Sequence, residues 1–375
     1  MKSTLGLYIH IPFCKAKCAY CDFYSLARSE DRMDAYAAAL NRSLRDAASK
    51  AAAYRVDTVY FGGGTPSFFG ASRLAALLET VFACYAVSPG AEITTEANPE
   101  SARDVDALRT LRRAGFNRVS LGMQSADDQE LRAVGRIHTA ADTAAAVDAA
   151  RRAGFDNLSL DLIYGLPGQT RERWRANLAA AVALAPEHLS CYGLKAEPGT
   201  PLYARRHSAS LPDDDAQADM YLDTVAFLAG RGYAQYEISN FARSGYESRH
   251  NLKYWTLGEY LGFGPGAHSD FGGRRFAVAR DLDAFLRGDT AYSEDTPIAP
   301  EERAAERVML GLRLTRGLQA EELAGAEAAL EACAAHGLAE RVENRWRLTP
   351  RGFLVSNAII LRVQEALFTF FDKSV

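Results

Sequence analysis

The sequence predicts an α/β protein in which a parallel sheet curls into an open, partial (β/α)6 TIM-like barrel, followed by a smaller, mostly helical C-terminal domain. Three observations carry this. Six short β-branched or apolar runs, Leu5–Ile11, Thr58–Phe61, Glu92–Glu96, Arg118–Gly122, Asn157–Ile163 and His188–Leu194, alternate with helix-period segments. Each run ends in a polar or glycine-rich turn, and six units fall short of the eight that close a full barrel. Beyond Pro297, helical patterns precede a hairpin.

The first run opens on the stretch that organises the rest, Tyr8-Ile9-His10-Ile11-Pro12-Phe13-Cys14-Lys15-Ala16-Lys17-Cys18-Ala19-Tyr20-Cys21. Three thiols this close cannot all pair as disulfides, and soft thiolates on a short loop suit zinc or an iron–sulfur cluster. A zinc knuckle repeats a two-residue spacing and recruits a fourth ligand nearby, whereas the nearest candidate, His10, sits within the preceding strand. The spacing therefore favours a [4Fe-4S] cluster at Cys14, Cys18 and Cys21. Three thiolates leave its fourth iron open to bind and activate a substrate. Cys84, Cys191 and Cys333 lie among apolar neighbours and read as core residues.

Between the runs, the amphipathic stretches Asp34–Ser49, Ser72–Tyr85, Ala140–Arg152 and Arg171–Leu184 are long enough for the crossovers that parallel strands need. The turns are the cysteine loop, Gly62-Gly63-Gly64-Thr65-Pro66, Glu96-Ala97-Asn98-Pro99, Gly122-Met123-Gln124-Ser125, Tyr164-Gly165-Leu166-Pro167-Gly168 and Lys195-Ala196-Glu197-Pro198-Gly199. In a βα barrel such turns meet at the carboxyl ends of the strands, so they predict one composite site. A seventh run, Tyr233–Ser239, either extends the sheet or belongs to the neighbouring region of the chain. The expected division is residues 1–240 as the barrel, 241–296 as a connecting region rich in glycine, aromatics and histidine, and 297–375 as the terminal domain. Asp213-Asp214-Asp215 reads as the cap of a helix.

Hydrophobic content of 48% and charge of 24% are those of a folded globular chain. A net charge of −4 gives no basic footprint for nucleic acid. The uncharged stretch from Ala176 to Pro186 is too short to span a bilayer, and no basic leader or cleavage site precedes the first strand. Clustered and scattered free thiols fit the cytoplasm.

The cysteine loop resembles the signature of the radical S-adenosylmethionine (SAM) superfamily. There the unique iron chelates the amino and carboxylate groups of SAM. The resemblance implies that a reduced cluster, fed by an electron donor, cleaves SAM to methionine and a 5′-deoxyadenosyl radical. The Tyr-x-His-Ile-Pro-Phe-Cys lead-in is similar to the branch containing the anaerobic coproporphyrinogen III oxidases and the HemW heme chaperones, whose chains end in a winged-helix-like domain. Over residues 301–375 the 11 acidic and 10 basic side chains favour packing over DNA binding for such a domain. The resemblance assigns Gly63, Gly64 and Thr65 to the methionine part of SAM and Tyr20 to the adenine. It also carries over Tyr8, Glu96, Gln124, Arg136 and Asp161, in which Arg136 would hold the carboxylate and Asp161 the ribose hydroxyls.

Two features separate the chaperone from the oxidase. The oxidase has a further cysteine two residues after the third, where this chain has Phe23, and an N-terminal extension before its first strand. Conversely, His250-Asn251-Leu252-Lys253-Tyr254-Trp255 matches the His-Asn-x-x-Tyr-Trp motif of the chaperones. A neutral imidazole can ligate heme iron, and Tyr254 and Trp255 offer flat apolar surface. His268 is a weaker second candidate, and His10 reads as structural. The resemblance thus implies heme and a heme-acceptor protein as partners. It leaves a homodimer open.

Overall fold

A computed structural model describes residues 3–372. Its strands, in chain order, are β1 Thr4–Ile11, β2 Phe13–Cys14, β3 Leu26–Ala27, β4 Arg55–Gly63, β5 Val87–Ala97, β6 Arg118–Gln124, β7 Leu158–Tyr164, β8 His188–Gly193, β9 Ala234–Gln235, β10 Asn240–Ala242, β11 Tyr260–Phe263, β12 His268–Phe271, β13 Arg274–Val278, β14 Tyr292–Pro297, β15 Leu318–Gln319, β16 Ala339–Val342 and β17 Arg345–Leu348. All six expected runs are strands. β1, β4, β5, β6, β7 and β8 lie side by side in that order, each parallel to the next. The helices Met33–Ala47, Ala71–Cys84, Val105–Ala114, Ala140–Arg152 and Arg171–Ala183 make the crossovers. Their starts are set by side-chain caps where the sequence offers them: Asp104, Thr139 and Thr170 each accept from backbone N–H groups of the first turn. Asp213 does the same for Asp214–Ala229.

The sheet is longer than the six runs. It has 12 strands in the order β14-β13-β12-β11-β1-β4-β5-β6-β7-β8-β10-β9, an open arrangement. Residues 241–296 supply much of the increase, because β11 lies parallel to β1 and β12 to β14 follow it antiparallel. Of the seventh run only Ala234–Gln235 enters the sheet, antiparallel to β10.

Alternation along the parallel strands decides where the site lies. Val59 and Phe61 of β4, Val119 and Leu121 of β6, and Leu158, Leu160 and Leu162 of β7 belong to the hydrophobic core. The residues between them, Tyr60, Ser120 and Asp161, line a pocket on the other face. Parallel sheets usually bury apolar side chains on both faces; here one face is polar, which makes the barrel interior a binding space.

The terminal domain has its own core, in which Leu312, Leu323, Leu330, Trp346 and Phe353 pack together with Tyr221 of the barrel. The helices Pro300–Gly311, Glu327–Ala335 and Ser356–Asp372 surround the small antiparallel sheet β15-β17-β16. This is the helical domain with a terminal hairpin that the sequence predicts.

Candidate functional site

The cysteine loop leaves the carboxyl end of β1 and is tied down on both sides. Ala19 N donates to Val134 O at 2.9 Å, and Leu202 N donates to Ala19 O at 2.8 Å. The glycine run docks against it: Gly64 N donates to Ile11 O and Thr65 N to Phe13 O, both at 2.8 Å. Gly64 is required for this approach, because a Cβ there would lie 2.8 Å from Ile11 O and 2.9 Å from Phe13 N and O. Gly64 therefore presses on the loop's own backbone.

Cys14, Cys18 and Cys21 are free thiols, half-buried, and all three line one pocket of about 410 Å³. The same pocket is lined by Tyr20, Gly63, Gly64 and Thr65, and by Glu96, Gln124, Arg136 and Asp161. Five of the six turns thus converge as expected of strand carboxyl ends, and the Tyr164–Gly168 turn adds no lining residue. Tyr8 stands behind this wall. Its ring stacks on Tyr60 at 6.2 Å, and its hydroxyl bonds His10 Nδ1 at 3.1 Å.

A continuous hydrogen-bond chain links two of the thiols. Thr65 Oγ1 donates to Cys14 Sγ at 3.4 Å, and Asn98 Nδ2 donates to Thr65 Oγ1 at 3.1 Å. Arg136 Nη2 donates to Asn98 Oδ1 at 2.8 Å and to Gly122 O at 2.7 Å, and its Nη1 donates to Cys18 Sγ at 3.4 Å. Burial pushes the Cys14 and Cys21 thiols above their ordinary pKa, and the Thr65 and Ser25 hydroxyls pull Cys14 partly back. Thiols raised by burial need a cationic metal to be held as thiolates, and N–H and O–H groups aimed at the sulfurs tune such a centre. Among the described residues no three His, Cys, Asp or Glu side chains are placed to hold a single metal ion. Three thiols around a cavity, with hydrogen bonds to sulfur, fit a polynuclear iron–sulfur group.

The opposite wall supplies acceptors. Glu96 takes the Tyr60 hydroxyl at 2.7 Å and Gly63 N at 3.0 Å, and burial pushes its carboxyl up to about 7. Asp161 is raised by burial too, although Ser190 and Ser120 donate to it at 2.7 and 3.0 Å. Such acceptors suit the hydroxyl and ammonium donors of a ligand such as SAM.

The His250 segment lies at the other end of the strands. The helix Arg249–Trp255, capped by Ser248, packs near the start of β1 and β4: a Cβ on Gly6 would lie 3.3 Å from His250 Cε1. His250 is buried, and both ring nitrogens are engaged, Nδ1 with Thr58 Oγ1 and Nε2 with the Tyr254 hydroxyl, each at 2.9 Å. Burial drops its pKa to about 3, so the ring is neutral. Its backbone N–H and that of Arg249 donate to the Glu92 carboxylate at 2.9 Å. As placed, His250 closes the base of the barrel and has no nitrogen free for a metal. Tyr254 and Trp255 are half-buried, and neither they nor His250 line the thiol pocket, whereas Asn251 of the same motif does. His268 is exposed, and His10 is buried and bonded to Tyr24 O at 2.8 Å.

Several pocket residues carried no sequence assignment, among them Tyr60, Asn98, Arg118, Ser120, Ser190 and Asn251. Asn98 precedes Pro99 in a turn already singled out, and its residue type was the available signal. Among the described residues no helix is long and apolar enough to cross a membrane.

Residues 8–180 match the radical SAM superfamily, and residues 298–355 match the HemN C-terminal domain. The chain is 40% identical to the heme chaperone HemW of Mycobacterium tuberculosis over 95% of its length and 93% of that protein. It is 35% identical to the heme chaperone HemW of Bacillus subtilis over 96% of its length and 98% of that protein. The solved structure of the coproporphyrinogen III oxidase HemN from Escherichia coli, a radical SAM enzyme, matches with a TM-score of 0.84 at 26% identity, covering 97% of this chain and 90% of that one. The fold, the pocket at the strand ends and these relatives agree: the chain belongs to the HemW heme chaperone family of the radical SAM superfamily.

Proposed function

We propose that the chain is a cytoplasmic heme chaperone that holds a [4Fe-4S] cluster, takes SAM at that cluster, binds heme and passes it to an acceptor protein. The observation that carries the reading is the convergence of three free thiols and eight further SAM-type residues on one pocket, in a chain of the HemW family. Cys14, Cys18 and Cys21 would hold the cluster. When bound and reduced by an electron donor, the cluster can pass an electron to the sulfonium of SAM. Arg136 spends three donors on Cys18, Asn98 and Gly122, which leaves Nε and one Nη1 hydrogen for the SAM carboxylate. Glu96 and Asp161 accept from its ammonium and ribose, Gln124 completes that wall, and Tyr20 covers the adenine. Gly63, Gly64 and Thr65 bring backbone to the methionine part. Tyr8 supports the site through Tyr60. The Tyr254-Trp255 surface contacts heme, with His250 shaping it by hydrogen bonds.

The likeness to the solved HemN structure supports a second reading, oxygen-independent coproporphyrinogen III oxidation, in which two propionates leave as carbon dioxide. Phe23, in place of the oxidase's fourth cysteine, weighs against it. One anaerobic experiment separates the two. Titrating the cluster-reconstituted protein with heme is expected to saturate the Soret change near about one heme per chain. The same protein with coproporphyrinogen III, SAM and a reductant is expected to form no protoporphyrinogen. Turnover without saturable heme binding would reverse the order of the readings.

A further inference from the structure

Arg118 is out of place by ordinary rules. It opens β6 and points into the barrel, is 1% exposed, and lines the thiol pocket. Its Nε–H is buried without a hydrogen-bond partner, and among the described residues no carboxylate stands within ion-pair distance of the guanidinium. Leaving a buried charge unpaired is among the most costly arrangements in a protein interior. Three carboxylates, the buried Glu92 and the half-buried Glu96 and Asp161, face it at longer range, and each is occupied by other donors. Glu92 takes the N–H groups of Arg249 and His250, Glu96 takes Tyr60 and Gly63, and Asp161 takes Ser120 and Ser190.

A guanidinium that bonded Asp161 or Glu96 directly would use the acceptor positions that a ligand needs. Standing off, it supplies charge through a medium of low dielectric and leaves those positions open. We propose that Arg118 is a positioning residue of the pocket, a cation held out of contact so that its field favours the anionic forms of Glu96 and Asp161 and leaves them available to the ligand's hydroxyl and ammonium groups. The ligand part of this rests on the SAM reading above; the charge part does not. The groups that face Glu96 are Tyr8 on β1, Tyr60 on β4, Arg118 on β6, Asp161 on β7 and Tyr254 on the helix Arg249–Trp255, and its carboxyl lies near 7, where a modest field decides its state. Those that face Arg118 are Glu92, Glu96, Tyr60, Tyr236 and Asp161, and its charge also bears on the neutral rings of His188 and His250.

The test is a pH titration of carboxyl bands by infrared difference spectroscopy on the cluster-reconstituted protein without SAM, with Glu96→Gln identifying the Glu96 band. The expected wild-type midpoint is about 7. Arg118→Met and Arg118→Gln are both expected to move it up by about one unit or more, and Arg118→Lys to return it toward the wild-type position. SAM affinity near neutral pH should fall in the neutral variants and recover as the pH is raised past their new midpoint. A purely packing role would weaken binding equally at every pH. An unmoved midpoint in either folded neutral variant, or a shift that Lys fails to reverse, overturns the proposal. Absence of SAM binding in the wild type would instead sink the SAM reading, with the carboxyl midpoint still deciding the role of Arg118.

Discussion

Cys18→Ala protein, reconstituted anaerobically with iron and sulfide, is expected to hold no [4Fe-4S] cluster and to lose SAM binding with it. The reason is arithmetic in ligands. Three thiolates are the fewest that hold a cubane while keeping one iron open, and this pocket has three. Removing Cys18 also strands the Arg136 Nη1 hydrogen that it accepts, so the bridge through Asn98 and Thr65 to Cys14 loses its end point. Iron content, the visible charge-transfer absorbance and the reduced-state electron paramagnetic resonance signal should all be absent. A milder variant calibrates the claim: Thr65→Val removes the hydroxyl that donates to Cys14 and accepts from Asn98 but leaves all three thiols, and a loss of about 10- to 100-fold in cluster affinity is expected for such a support residue. Full cluster occupancy in Cys18→Ala would show that the thiols are not its ligands.

Gly64→Ala is expected to cost about 3 kcal/mol or more of folding stability and to impair cluster assembly. Gly64 has an ordinary backbone conformation, so the penalty comes from contact alone: the new methyl would meet the backbone at Ile11 and Phe13, which cannot rotate away as a side chain could. Separating the strand from the loop would break the two 2.8 Å hydrogen bonds that fix Cys14 beside Thr65. Gly168 is the useful contrast. It has φ +71 and nothing within 4 Å of a built Cβ, so Gly168→Ala carries only the left-handed penalty of about 1–2 kcal/mol. Chemical denaturation of both variants, without cluster, measures the difference; equal costs would mean that the close approach at Gly64 is not needed.

The six parallel strands were legible because each is a compact β-branched run followed by a distinctive turn, and the cysteine spacing named its own chemistry. The strands β11 to β14 were not, because glycine, histidine and aromatic residues between Tyr260 and Val278 mask a two-residue alternation that only pairing with β1 brings out. Arg118 shows the same limit at the level of one residue. A charged residue opening a strand reads as solvent-facing, and its burial follows from the strands on either side of β6, which leave no trace in local sequence. His250 was legible as a motif but not as a position. Its neighbours Thr58, Glu92 and Tyr254 come from three elements, and their hydrogen bonds place the ring at the barrel base, at the opposite end of the strands from the thiols.

The most direct test of the account is heme handover. Protein carrying the cluster and about one equivalent of heme is mixed anaerobically with an apo-hemoprotein, and the Soret band is followed as the two are separated. The account predicts that heme leaves this chain and appears in the acceptor, with the porphyrin chemically unchanged. Heme that stays bound, or that reaches the acceptor no faster than free heme does, would contradict it.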